Sequence, residues 1–175
     1  MKKTSRIVFL VLFFFAINSC KQKSQTDKFI ITIDAIIHKN DKIQLFYTTD
    51  STIKFNESQT LFKQIIGSDK NQLIKIIFPD TIHPKQLRLD FGRSANPKEI
   101  VVNEINFAFK DKHHSAKGEE IYQLFRIDTS NTTLNKLSGG LKAKNSNQKN
   151  GPSLYPNGET LFLVLNELYL KKPKN

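Results

Sequence analysis

From Phe29 onward the chain is patterned with a period of two. Phe29, Ile31, Ile33, Ala35 and Ile37 form an unbroken apolar series, interleaved with Ile30, Thr32, Asp34, Ile36 and His38. Successive side chains of a strand point to opposite faces, so this spacing builds a strand that buries one side. After the Asn40-Asp41 turn, Ile43, Leu45 and Tyr47 repeat the pattern, and the two segments read as a pair of strands joined by a tight turn.

The same signal predicts strands at Leu61–Ile66, Gln72–Phe78, Lys85–Phe91 and Ile100–Phe109, separated by clusters of Gly, Pro, Asn and Asp. It is clearest where Leu87, Leu89 and Phe91 alternate with Gln86, Arg88 and Asp90, and where Ile105, Phe107 and Phe109 alternate with Glu104, Asn106 and Ala108. Each strand is expected to bury one face only, which suits two antiparallel sheets packed face to face. The expected fold class is therefore all-β, an antiparallel, jelly-roll-like β-sandwich. Most of the phenylalanines after residue 28 would fill its core, each contributing on the order of 1.5 to 3 kcal/mol when fully buried.

One short helix is expected over Glu119–Arg126, where Ile121, Leu124 and Phe125 fall on one side. Ser138–Pro152, rich in Gly, Asn, Lys and Ser, is the longest candidate loop. Thr160–Leu170 is almost continuously apolar, so its period does not separate a buried strand from a helix. The preceding Pro156-Asn157-Gly158 turn favours a closing strand.

The first nineteen residues belong to a different class of segment. A cationic start, Met1-Lys2-Lys3-Thr4-Ser5-Arg6, precedes an apolar run from Ile7 to Ile17. That run is roughly half of the ~20 residues a membrane-spanning helix needs, and the layout is that of a secretory signal peptide. It ends in Ile17-Asn18-Ser19-Cys20, which resembles a lipobox. The resemblance implies cleavage before Cys20, diacylglycerol on its thiol and acylation of its amine. Two or three acyl chains at ~0.8 kcal/mol per buried CH₂ hold a protein on a bilayer where one holds it only marginally. The chain thus divides into a signal peptide (residues 1–19), a lipidated polar tether (residues 20–28) and a single sandwich domain (residues 29–175).

Cys20 is the only cysteine. Once it is lipidated, disulfides, zinc–thiolate sites and cysteine nucleophiles are excluded. The net charge of +11 falls to +8 when Lys2, Lys3 and Arg6 are set aside, leaving 24 basic and 16 acidic residues. These lysines are scattered among the strands and the tail Lys171-Lys172-Pro173-Lys174 is short, so a solvated surface is expected rather than a nucleic-acid interface.

Several segments carry a family resemblance: Phe29–Ala35, Asp41–Asp50, Phe55-Asn56-Glu57, Gly67-Ser68-Asp69, Pro84–Asp90, Ile100–Phe107, Glu120–Phe125 and Gly151–Tyr155. Together they resemble a jelly-roll β-sandwich module, galactose-binding-like in layout, found in Bacteroidota lipoproteins and beside membrane glycosyltransferases. Pro152-Ser153 departs from the Asp-Pro expected there. The resemblance spans residues 29–157 and implies a fold more than a chemistry. Some lipoproteins of that phylum carry an acidic cluster after the cysteine as a surface-export signal; Lys21, Gln22 and Lys23 differ from it. The expected address is the periplasmic face of the outer membrane.

No Gly-rich phosphate loop, His-Glu metal helix or Gly-x-Ser-x-Gly elbow occurs, and no cofactor or metal site is expected. Most of Asp34, Asp50, Asp69, Asp80 and Asp90 stand where turns or strand ends are expected, a place Asp takes for local backbone bonding. His113 and His114 are adjacent and read as a solvated loop, and His38 and His83 flank turns. Gln44, Arg88, Asp90 and Asn106 would lie on the outer faces of neighbouring strands. With Tyr47 or Tyr155 they would form a polar, aromatic surface of the kind that holds a sugar. An ordinary polar outer face is the plainer alternative. Asp50-Ser51-Thr52 and Asp80-Thr81-Ile82 match a short pattern for O-glycosylation at Ser51 and Thr81. The functional expectation is a non-catalytic binding or assembly module of the envelope, partnered by the bilayer and by an envelope glycan or protein. A glycan-active enzyme using loop carboxylates and a spacer without ligand are the alternatives.

Overall fold

A computed structural model describes residues 27–92 and 98–170; the expected signal peptide, Cys20, most of the expected tether and the lysine tail lie outside the described residues. The strands are β1 (Phe29–Ile36), β2 (Asp41–Thr48), β3 (Thr60–Ile65), β4 (Gln72–Ile77), β5 (Gln86–Phe91), β6 (Ile100–Phe109), β7 (Lys112–Lys117), β8 (Phe125–Ile127), β9 (Thr132–Asn135), β10 (Gly140–Ala143) and β11 (Ser153–Pro156). Two helices accompany them, α1 (Glu120–Leu124) and α2 (Thr160–Tyr169). The first sheet runs β4-β1-β6-β10-β9, with β7 also paired to β6, and the second runs β3-β2-β5-β11-β8. Every pairing is antiparallel, and the molecule is an all-β sandwich.

The core is the space between the sheets. Phe29, Ile31 and Ile33 of β1 and Ile105 and Phe107 of β6 meet Leu45, Leu87, Leu89 and Leu154 from the second sheet, all fully buried. β1 alternates as its period demands, buried at every odd position. β2 and β5 do not: both are buried on the two faces, because residues 49–59 fold back over the outer side of the second sheet. The expectation that each strand buries one face is corrected at these two.

Four further expectations are overturned. β1 and β2 are not a hairpin, since β1 pairs with β4 and β6 while β2 pairs with β3 and β5. A two-residue hairpin needs residues that accept positive φ, commonly Asn-Gly. Here the link runs over residues 37–40 with Ile37 buried, and it carries the chain across the core. The expected loop Ser138–Pro152 contains β10, whose Leu141 is fully buried beside Ile100. His113 and His114 lie on β7, paired with Ala108 and Phe107.

The fourth is Thr160–Leu170, a helix and not a closing strand, so the sandwich has two helices where one was expected. Its buried residues are Leu161, Leu165 and Leu168, spaced i, i+4 and i+7, whereas Leu163 is exposed. A strand would have put Leu161 and Leu163 on the same face. The Lys112 ammonium donates to the carbonyls of Glu167 and Leu170 (2.8 and 2.5 Å), capping the C-terminal turn, where the Glu167 carbonyl also accepts from the Leu170 N–H. α1 is shorter than expected because the chain turns extended at Phe125. Among the described residues no helix is long and apolar enough to cross a membrane.

Candidate functional site

Because Ile43, Leu45 and Tyr47 of β2 and Leu87, Leu89 and Phe91 of β5 face the core, the residues between them share the outer face of the second sheet. Register puts Gln44 beside Asp90, Phe46 beside Arg88 and Thr48 beside Gln86. On the far side of β5, β11 contributes Tyr155, paired in turn with Arg126 of β8.

These neighbours form a stack that crosses four strands. The Arg88 guanidinium lies over the Phe46 ring at 4.6 Å and over the Tyr155 ring at 4.5 Å. Arg126 approaches Tyr155 at 5.2 Å from the other flanking strand. Asp90 holds Arg88 in place by accepting from Nε at 2.8 Å and from Nη2 at 2.6 Å. A planar guanidinium suits both roles, forking onto a carboxylate while stacking on aromatic faces. Phe55 covers the stack with its ring edge-on to Phe46 and Tyr155, at 6.4 and 6.1 Å. Glu57 accepts from the Gln44 amide at 2.8 Å. Burial raises the Tyr155 phenol above its ordinary pKa.

Two further features belong to this face. Arg126 is exposed and is held against the Tyr155 ring without an ion pair among the described residues. Gln86 is buried, and its Oε1 has no hydrogen-bond partner among the described residues. A buried acceptor left unmatched is uncommon and calls for a donor.

Of the residues expected from the sequence, the fold brings together Gln44, Arg88, Asp90 and Tyr155. It separates two others. Tyr47 faces inward and meets the core ring of Phe78 at 5.5 Å, because its odd position on β2 is a core position. Asn106 lies on β6 in the first sheet, between Thr32 and Ser115. Phe46, Phe55, Glu57, Gln86 and Arg126 belong to the site and were missed. Phe55 carried the one legible signal, a lone aromatic in a polar loop.

Ser51 and Thr81 are both exposed in turns. Asp50 accepts from the Thr52 N–H and hydroxyl at 2.9 and 2.7 Å, the local bonding that turn aspartates favour. Asp34 and Asp90 instead lie within strands. Among the described residues no three His, Cys, Asp or Glu side chains gather as a metal would require. Comparison with protein-family models, with curated proteins and with solved structures finds no match to this chain.

Proposed function

We propose that this chain is a lipid-anchored envelope protein whose sandwich is a non-catalytic module binding a glycan on the outer face of the second sheet. The observation that carries the reading is Arg88, fixed by Asp90 between Phe46 and Tyr155 on a face that already holds two carboxamides and a carboxylate. Sugars are held by planar polar side chains that pair with hydroxyls and by an aromatic ring that stacks on the pyranose face. A sugar ring taking the place of Arg126 would stack on the Tyr155 ring at the accessible edge of this face, beside the Arg88–Asp90 pair. Asp90, with both oxygens engaged by Arg88, serves here to fix the guanidinium, a role that suits binding. The resemblance of residues 29–157 to galactose-binding-like lipoprotein modules points the same way, as does the lipobox at Cys20.

The test is calorimetric titration of the chain from residue 20, bearing Cys20→Ser, against a panel of envelope polysaccharides and their oligosaccharides. Saturable binding is expected, weakened at least ~10-fold by Tyr155→Ala, which removes a stacking ring worth up to ~1.5 kcal/mol together with its buried area. A panel that stays blank overturns the reading.

A further inference from the structure

A cavity of the sandwich lies away from the Arg88 face. It opens on the first sheet, where the ladder along β6 is interrupted. On one side of β6, β7 pairs from Phe109 back to Glu104, and β10 pairs with Ile100 and Val101 only. Val102 and Asn103, between them, are matched by neither strand. On the other side, Asp34 of β1 stands across from Glu104 and Ala35 across from Val102, so Asn103 is an extra residue. Such a β-bulge re-aims a side chain and ends pairing, and bulges concentrate beside functional sites.

The gap holds a cavity of about 730 Å³. It is lined by Val101, Leu134, Tyr122 and the core residue Val102, together with Gln123 and Asn103, whose Nδ2 also donates to Asp34 at 3.5 Å. Leu137, in the turn between β9 and β10, lines it as well and is 99% exposed. The Tyr122 hydroxyl already donates to the Gly139 carbonyl at 3.2 Å, which leaves the ring as its contribution. Lys136 and Glu119 both border the space, so neither charge sign dominates there.

We infer that this cavity is a second binding site, for a neutral amphipathic small molecule. Its apolar body packs against Val101, Val102, Leu134 and the Tyr122 ring, and its amide or hydroxyl groups meet Asn103 and Gln123. The volume falls within the roughly 300 to 1,000 Å³ of small-molecule sites, and the lining sets apolar side chains beside the polar Asn103, Gln123 and Ser138. A carboxamide both donates and accepts, which fits a neutral hydrogen-bonding head and not a lone charge. Leu137, an apolar side chain that is almost fully exposed, is the lip. The assignment does not depend on glycan binding at the Arg88 face.

The experiment is a fluorescence titration with N-phenylnaphthylamine, a neutral apolar dye with one N–H. The protein is the chain from residue 20 with Cys20→Ser, since the entire described core lies within residues 27–170. One-site saturable binding is expected. Val101→Trp fills the space and weakens it about tenfold or more, and Gln123→Ala weakens it by roughly two- to tenfold, the worth of one hydrogen bond. Leu137→Ser, at a fully exposed position, keeps the test independent of folding and also weakens binding. Tyr155→Ala, on the other sheet, leaves it unchanged. Binding that does not saturate, or a Val101→Trp or Leu137→Ser protein that binds the dye as the parent does, overturns the inference.

Discussion

Arg88 and Asp90 stand two residues apart on β5, so the strand points both side chains to one face, and the guanidinium meets the carboxylate through bonds of 2.8 and 2.6 Å. The pair is partly withdrawn from water, with the Asp90 side chain 6% and the Arg88 side chain 19% exposed. Its worth to the protein is therefore set by what happens when one partner is lost.

Asp90→Ala should leave a guanidinium with no carboxylate between two rings. Breaking a buried pair costs about 3 to 5 kcal/mol; the residual access of Arg88 to water puts the expected loss near the lower end, about 3 kcal/mol. The double variant Arg88→Met, Asp90→Leu leaves no orphaned charge and should lose less than Asp90→Ala alone. Urea unfolding of the two proteins decides, and the reverse order would contradict this account of the pair.

Gly151 is packed against β5 so closely that a Cβ there would lie 1.7 Å from the Phe91 carbonyl oxygen. Gly151→Ala must push backbone apart and should cost about 3 kcal/mol or more, at or beyond the top of the usual overpacking range. Gly158, at φ +59°, has nothing within 4 Å of its Cβ position. Gly158→Ala should cost only the left-handed backbone penalty, about 1 to 2 kcal/mol. Thermal unfolding midpoints should separate the two clearly.

The exposed Asp69 carboxylate is held below its ordinary pKa near 3.8, first by a hydrogen bond from His38 and then by one from Lys98 at 3.2 Å. A carboxylate depressed in the folded state stabilises it above the unfolded pKa and loses that contribution as pH falls through the folded one. The difference in unfolding temperature between the parent and Asp69→Asn should therefore be constant at neutral pH and shrink below about pH 4. A gap that widens on acidification would contradict the assignment.

Cys20→Ala, in the full chain, should abolish labelling by a radioactive fatty acid and shift the protein from the membrane fraction to the soluble fraction. The lipidated form needs two or three acyl chains for firm attachment, and no helix among the described residues is long and apolar enough to cross a membrane in their place. A Cys20→Ala protein that still sediments fully with membranes would refute lipid anchoring.

The parity of the strands was legible from residues alone. Ile31, Ile33, Leu45, Leu87, Leu89, Ile105 and Phe107 announce themselves as core by spacing, and the structure buries every one. The short strands β8 to β11 were not legible, because at three or four residues each they are too brief for a period to show. Gln44, Arg88 and Asp90 were expected on one outer face, and they are. Tyr47 and Asn106 were expected with them and are elsewhere, and Phe55 reaches the site only through the fold of its loop.

The sequence by itself determined which side of each long strand faces the core, because alternation is a local property of the backbone and a greasy residue at every second position has one way to leave water. It did not determine which strands pair. Pairing sets residues tens of positions apart side by side, so only the tertiary structure sends β1 and β2 to different sheets and makes a helix of Thr160–Tyr169, whose buried leucines are spaced for one. The stack at Arg88 is likewise tertiary, because Phe46, Tyr155 and Arg126 become neighbours only once β2, β5, β11 and β8 lie in that order.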